Sequence, residues 1–277
     1  MSIFLSLLKR FSKRLENLSI YLMASLIPMV LSVIINPLIA MNMSAEDYAI
    51  VGYYTAYNTL FSPVVTFYLT HYYTKKYFEL TEDQRNCLKS TILFALISFS
   101  FVVAAILLGG LYGYKELFNE KSEIAFFPYA PLAVFALPLT GIYSLTLVEY
   151  RMKRQSRKFF GLSVGNGILH TLFILLMVVV FPWGATGKLL ATVVGSIFVF
   201  GYCLYLNHDF VKYKFDKTIF REAVLFCLPL VLAAMLGFFS GGYDKIILER
   251  TGDLHALGIY VVGVSIASYL NVFTNSI

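Results

Sequence analysis

The sequence predicts an all-α membrane protein, a polytopic helical bundle of about eight transmembrane helices. Three observations predict it. Hydrophobic residues make up 58% of the 277-residue chain and charged residues only 14%, whereas soluble domains carry about 25% charged residues. The apolar residues fall in long blocks, each matching the roughly 20 residues that a helix rising about 1.5 Å per residue needs to cross a bilayer core. The lysines and arginines gather in alternate connections between those blocks, as the rule for inner loops requires.

The blocks fall at 20–41, 48–70, 90–112, 126–148, 160–181, 188–206, 223–243 and 255–277. Backbone groups in lipid must be satisfied internally, so blocks of this length are helices. Barrel strands would be half as long and would alternate in polarity. Ahead of the first block, Ser2–Leu18 is amphipathic at helical spacing, with Ile3, Phe4, Leu7, Leu8, Phe11, Leu15 and Leu18 opposing Lys9, Lys13, Arg14 and Glu16. It reads either as an interfacial helix or as a plain orientation signal. Tyr21–Met41 is too long for a secretory signal and carries Pro28, Asn36 and Pro37, so it is a retained span. The second block holds Asn58, Pro63, Thr66 and Thr70, with His71 at its rim. The fifth holds Gly161 and Gly165, a spacing that allows close helix contact. The seventh holds Pro229 and ends at Asp244 and Lys245.

With the amino terminus inside, the inner segments hold four groups of cations: Lys9, Arg10, Lys13 and Arg14; Lys75, Lys76, Arg85 and Lys89; Arg151, Lys153, Arg154, Arg157 and Lys158; and Lys212, Lys214, Lys217 and Arg221. The outer segments hold only Lys115, Lys121, Lys188, Lys245 and Arg250. The net charge of +6 is therefore mostly a topology signal. A nucleic-acid partner would need a basic soluble face, and no connection reaches the length of a domain.

Cys87, Cys203 and Cys227 form no pair motif, and the four histidines His71, His170, His208 and His255 are scattered. No phosphate loop, zinc-protease helix or nucleophile elbow appears. No cofactor or metal is expected, and no catalytic residue is assigned. The chemistry must then rest on polar side chains at membrane depth, which are functional candidates by default. Asn166 and His170 share one face of the fifth span. His170 would contact a polar headgroup, take up a proton, or sit neutral and bonded to a neighbouring helix. Asn58 lies deep in the second span and Asn36 toward the outer half of the first. Packing and kinking alone also account for these two.

Two stretches look alike. Met43-Ser44-Ala45-Glu46-Asp47-Tyr48-Ala49-Ile50-Val51 enters the second span, and Gly252-Asp253-Leu254-His255-Ala256-Leu257-Gly258-Ile259-Tyr260 enters the eighth. Spans one and seven then run in the same direction. This fits two parallel six-helix lobes related by an axis along the membrane normal. The expected division is a first lobe over 1–222, including the amphipathic start, and the first two helices of an incomplete second lobe over 223–277.

The first stretch resembles the loop after the first helix of the Wzx-type polysaccharide and O-antigen flippases, exporters of lipid-linked oligosaccharides in the multidrug/oligosaccharidyl-lipid/polysaccharide superfamily. Leu228-Pro229-Leu230, Tyr243-Asp244-Lys245-Ile246-Ile247-Leu248 and Gly258-Ile259-Tyr260 resemble that family's seventh and eighth helices. The family usually has glycine at Ala49 and more often arginine at Lys245. Its members have twelve to fourteen helices, so the chain resembles an amino-terminal portion. The resemblance implies translocation of a polyprenyl-diphosphate sugar across a bacterial inner membrane, with no covalent chemistry. It implies a headgroup or gating role for Asp244 and Lys245; an ordinary interfacial charge pair is the alternative. Expected partners are the lipid-linked oligosaccharide and membrane lipids, with self-association or another partner completing the second lobe. The competing readings are a cation-coupled drug exporter, a membrane enzyme of polysaccharide assembly and a non-transporting interaction protein.

Overall fold

The computed structural model describes residues 2–118, 122–212 and 215–275, with side chains described over 18–117, 122–210 and 215–268. Among the described residues the fold holds ten α-helices and no strand. They are α1 Ser2–Ala40, α2 Ala45–Thr66, α3 Leu69–Lys76, α4 Glu82–Phe118, α5 Tyr129–Met152, α6 Ser156–Ile174, α7 Gly184–Leu206, α8 Lys217–Gly241, α9 Tyr243–Arg250 and α10 Leu254–Asn275. Six of these segments are long and apolar enough to cross a membrane: Leu18–Ala40, Glu82–Leu117, Tyr129–Met152, Ser156–Val180, Gly184–Leu206 and Lys217–Gly241. The described part of α10, Leu254–Ser268, is apolar but shorter. The amphipathic pattern of Ser2–Leu18 concerns side chains that lie, save Leu18, outside the described residues.

The second block of the sequence reading, α2, is absent from these six because it is less apolar, and the packing explains why. It runs through the middle of the bundle against α4, α5, α7, α8 and α10. Its tyrosines Tyr48, Tyr53, Tyr54 and Tyr57 are buried in protein. Tyr54 donates to the carbonyl of Ala125 at 2.7 Å, which makes its hydroxyl affordable at membrane depth.

Several boundaries differ from the sequence reading. The second block ends early: Phe67 and Tyr68 adopt left-handed backbone, with φ of 48° and 49°, and separate α2 from α3. The carbonyls around this break find side-chain donors, Ser100 on Val65 at 2.8 Å and Cys227 on Tyr68 at 3.3 Å. The seventh block likewise splits at Gly242, so Asp244 and Lys245 sit on the separate helix α9 rather than at the end of α8. Helix α6 passes into a single π-helical segment, Leu175–Val180.

Close helix approach is made at glycines other than the predicted pair. Among the described residues, a Cβ at Gly161 or Gly165 would meet nothing within 4 Å, so no close approach is made at these two. Gly167 instead faces Pro28 of α1, where a Cβ would lie 2.7 Å away. Proline lacks the N–H that would bond the carbonyl one turn earlier. Here that carbonyl, of Ala24, accepts from Ser163 of α6 at 2.9 Å. The α2–α10 crossing is tighter still, with Gly258 against the backbone of Ala45 and Gly52 against Val261.

The core divides into two clusters. One surrounds α2 together with α5, α9 and α10 and includes Tyr54, Tyr57, Val134, Phe238 and Leu257. The other lies at the end where most cations gather and includes Leu69, Tyr73, Leu96, Ile142, Leu145 and Cys227.

Candidate functional site

A cleft of about 470 Å3 opens between α1 and α10, with α2, α6 and α7 behind it. Its size falls within the roughly 300–1,000 Å3 of ligand pockets. Polar groups enter from every wall: Ser32 and Asn36 from α1, Tyr48 from α2, Thr171 from α6, Lys188 from α7 and Ser265 from α10. The remaining walls are aliphatic, chiefly Val33, Ile35, Ile39, Ile174, Val262 and Ile266. Among the described residues, no acidic side chain lines the cleft.

Lys188 is the electrostatic centre of this site. It projects from α7 one turn after the helix begins at Gly184. Its ammonium stands 4.8 Å from the ring centre of Tyr48, a cation–π contact worth about 0.5–2 kcal/mol depending on desolvation. It forms no ion pair among the described residues. A cation balanced only by an aromatic face keeps most of its capacity for an anion. Hydroxyls, an amide and an aromatic ring around it are groups that hydrogen-bond or stack on polyhydroxylated molecules.

The local fold at the mouth follows from the loop motif. Ser44 caps α2, accepting from the Asp47 N–H at 3.1 Å, while Asp47 accepts from the Ser44 N–H at 3.0 Å. This reciprocal cap satisfies two orphan donors of the first turn. Glu46, outside the spans, is held below the usual carboxylate range by its own backbone N–H and by Ser44. It lies 3.8 Å from His255, so the two similar stretches of sequence meet at this end of the molecule.

The predicted site residues do not form one constellation. Asn36 lines the cleft. Asn166 belongs to a group with Tyr143 and Ser163 between α5 and α6. His170 turns toward α7 and occupies the notch left by Gly195, where a Cβ would be 2.9 Å from its Nδ1; its neighbour Thr171 faces the cleft instead. Asn58 donates to the carbonyl of Ala133 at 3.2 Å and leaves its own buried oxygen without a donor. Asp244 accepts from Tyr260 through one oxygen, while the other is buried and unbonded. Lys245 is buried on α9, and its ammonium forms no ion pair among the described residues.

Residues 14–277 match the family model described as polysaccharide biosynthesis protein. The chain belongs to this family. The search among curated proteins and the search among solved structures each return no match. The polysaccharide biosynthesis family is generally transporter-like, and membership agrees with the resemblance drawn from the loop and α8–α10 motifs. The structure also gives those motifs local work in this family member: Ser44 and Asp47 cap a helix, and Gly258 permits close packing against Ala45.

Sequence reasoning missed two ionic features of this family member. Lys188 entered only as an orientation charge, although a single cation inside an otherwise apolar helix was the available signal. At the basic end, Glu149 of α5 binds Lys89 of α4 at 2.5 Å and Lys153 at 2.6 Å. Lys89 also stands 3.5 Å over the ring of Phe210. Lys89 and Glu149 are only 2% and 4% exposed, so this is a buried pair rather than two flanking charges. Its carboxylate was the one acidic residue beside the cation run 151–158.

Proposed function

We propose that this membrane protein translocates lipid-linked oligosaccharide, a polyprenyl-diphosphate sugar, across the bacterial inner membrane by alternating access. The amino terminus is cytoplasmic in this reading. Residues 1–222 act as one lobe, and 223–277 begin a second that moves against it. The cleft between α1 and α10 receives the headgroup, and the lipid tail stays in the bilayer.

The observation that carries the proposal is Lys188, a cation within a membrane helix, facing a cleft whose described walls hold no carboxylate. An anionic diphosphate is the complement of that charge, and Asn36, Tyr48, Thr171 and Ser265 supply sugar-compatible contacts. The same feature weighs against a cation-coupled drug exporter, whose cargo would favour acidic walls. No group in the cleft is assigned a bond-breaking role, so the protein is read as a transporter and not an enzyme.

Lys188→Met, which keeps the length and loses the charge, tests the proposal in a strain whose surface polysaccharide depends on this protein. With membrane level unchanged, surface polysaccharide is expected to fall by roughly tenfold or more, the weight of a lost charge-assisted contact. Lys188→Arg retains function. Full polysaccharide display by Lys188→Met at normal membrane level refutes the headgroup assignment.

A further inference from the structure

We infer that Asp47 is a positioning residue whose carboxylate ties the start of α7 to the start of α2 and so holds Lys188 over Tyr48. The inference rests on reading the cleft as the headgroup site, and it concerns how that site keeps its shape.

One Asp47 oxygen completes the cap of α2. The other accepts from the Ala185 N–H, across 138 positions of sequence, at 2.8 Å. Ala185 lies in the first turn of α7, three residues before Lys188. Asp47 is followed directly by Tyr48. The two members of the cation–π pair therefore hang from the two sides of one hydrogen bond.

Gly184 shows that the fit is built. It has a φ of +54°, and a Cβ there would lie 2.5 Å from the Asp47 oxygen. Glycine alone combines that backbone with that approach. The carboxylate also meets an orphan N–H at the positive end of a helix, where a negative group is favoured. Its capping duty explains Asp47 only in part, because Ser44 at the cap and Ala185 on α7 use different oxygens.

The test separates capping from tethering. Lys188→Cys provides a thiol in the cleft, and its labelling by a small charged thiol reagent is followed in membranes, with the wild-type protein as background for the native cysteines. Adding Asp47→Ala is expected to raise the labelling rate roughly fivefold, the weight of one lost hydrogen bond. Adding Ser44→Ala, which weakens the cap but spares the bond to α7, leaves the rate near its starting value. Asp47→Asn, whose amide oxygen can accept the same N–H, also leaves it near that value. Where Asp47→Ala does not reach the membrane, Gly184→Ala takes its place with the same expectation. An unchanged rate in the Asp47→Ala or Gly184→Ala protein overturns the inference, as does an equal rise with Ser44→Ala.

A second readout follows polysaccharide display. Asp47→Ala is expected to lower display in the wild-type background and to add no further loss to Lys188→Met, because the two act through one contact. Additive losses overturn the positioning role. Should Lys188→Met prove fully active, the headgroup reading fails while the labelling rates still decide the tether.

Discussion

The crossing of α2 and α10 makes a sharp prediction about Gly258. An alanine there would place its Cβ 1.9 Å from the Ala45 carbonyl oxygen and 2.5 Å from its carbon. Ordinary contacts begin near ~3.5 Å, so α10 must retreat by about 1.5 Å, and a gap of even 0.5–1 Å forfeits a quarter to a half of each neighbouring contact. The obstacle is backbone, so no rotamer change relieves it. The expected destabilisation is about 1–3 kcal/mol, the range for overpacking. Gly52→Ala makes a useful contrast, because its Cβ would meet Val261 Cγ2 at 2.2 Å, a side chain. Val261→Ala should therefore rescue Gly52→Ala, whereas Ala45→Gly should not rescue Gly258→Ala. The assay is the midpoint of thermal loss of monodisperse protein in detergent, measured for the four single variants, the two double variants and the wild type. A Gly258→Ala protein as stable as wild type, or a Gly52→Ala protein that Val261→Ala fails to rescue, refutes the packing argument.

Other expectations follow from the same reasoning about buried polar groups. Glu149→Gln strands Lys89, only 2% exposed, without its carboxylate, at a cost of about 3–5 kcal/mol, whereas replacing both Lys89 and Glu149 by apolar residues should be much milder; thermal midpoints of the single and double variants decide. Ser163→Ala removes the donor to the Ala24 carbonyl, at a cost of about 0.6–1.7 kcal/mol as measured for hydrogen bonds between membrane helices. In a Pro28→Ala background the helix recovers its own N–H, so the same Ser163→Ala change should cost close to nothing in the same measurement.

The spans were legible because bilayer thickness imposes a length that composition cannot hide. Breaks and contacts were less so, since they depend on partners distant in sequence. The run Thr66-Phe67-Tyr68-Leu69 carries no glycine or proline, yet Phe67 and Tyr68 leave the helix, with Ser100 and Cys227 bonding carbonyls on either side. The break before α9 was easier to anticipate, because Gly241-Gly242 stands at it. Glycine spacing misled at Gly161 and Gly165, where an added Cβ would meet nothing within 4 Å among the described residues, while Gly167 and Gly195 take Pro28 and His170. Among candidate site residues, Asn36 is the one that lines the cleft, and depth in a span did not single it out from the others. Nor did depth separate His170, which packs against α7, from Thr171, which faces the cleft. Adjacent residues on a helix point about 100° apart, and only the neighbours decide which of the two meets open space.

The low apolarity of α2 is then a positional signal in its own right. A helix carrying Tyr48, Tyr53, Tyr54, Tyr57 and Asn58 in about three turns would be costly against lipid, where each unbonded polar group loses several kcal/mol. The same residues become tolerable once protein surrounds them: Tyr54 reaches Ala125, Tyr53 and Tyr57 lie 3.4 Å apart through their hydroxyls, and Asn58 reaches Ala133. A central helix also touches whatever lies on both of its sides. Through Tyr48 it borders the cleft with α1 and α10, through Asn58 it touches α5, and through Gly52 it carries α10. Helix α10 packs on α2 while α1 packs on α6, and Tyr48 stands at the cleft that α1 and α10 border. The cleft lining and the packing of the bundle meet at that residue, one position after the Asp47 of the proposed tether.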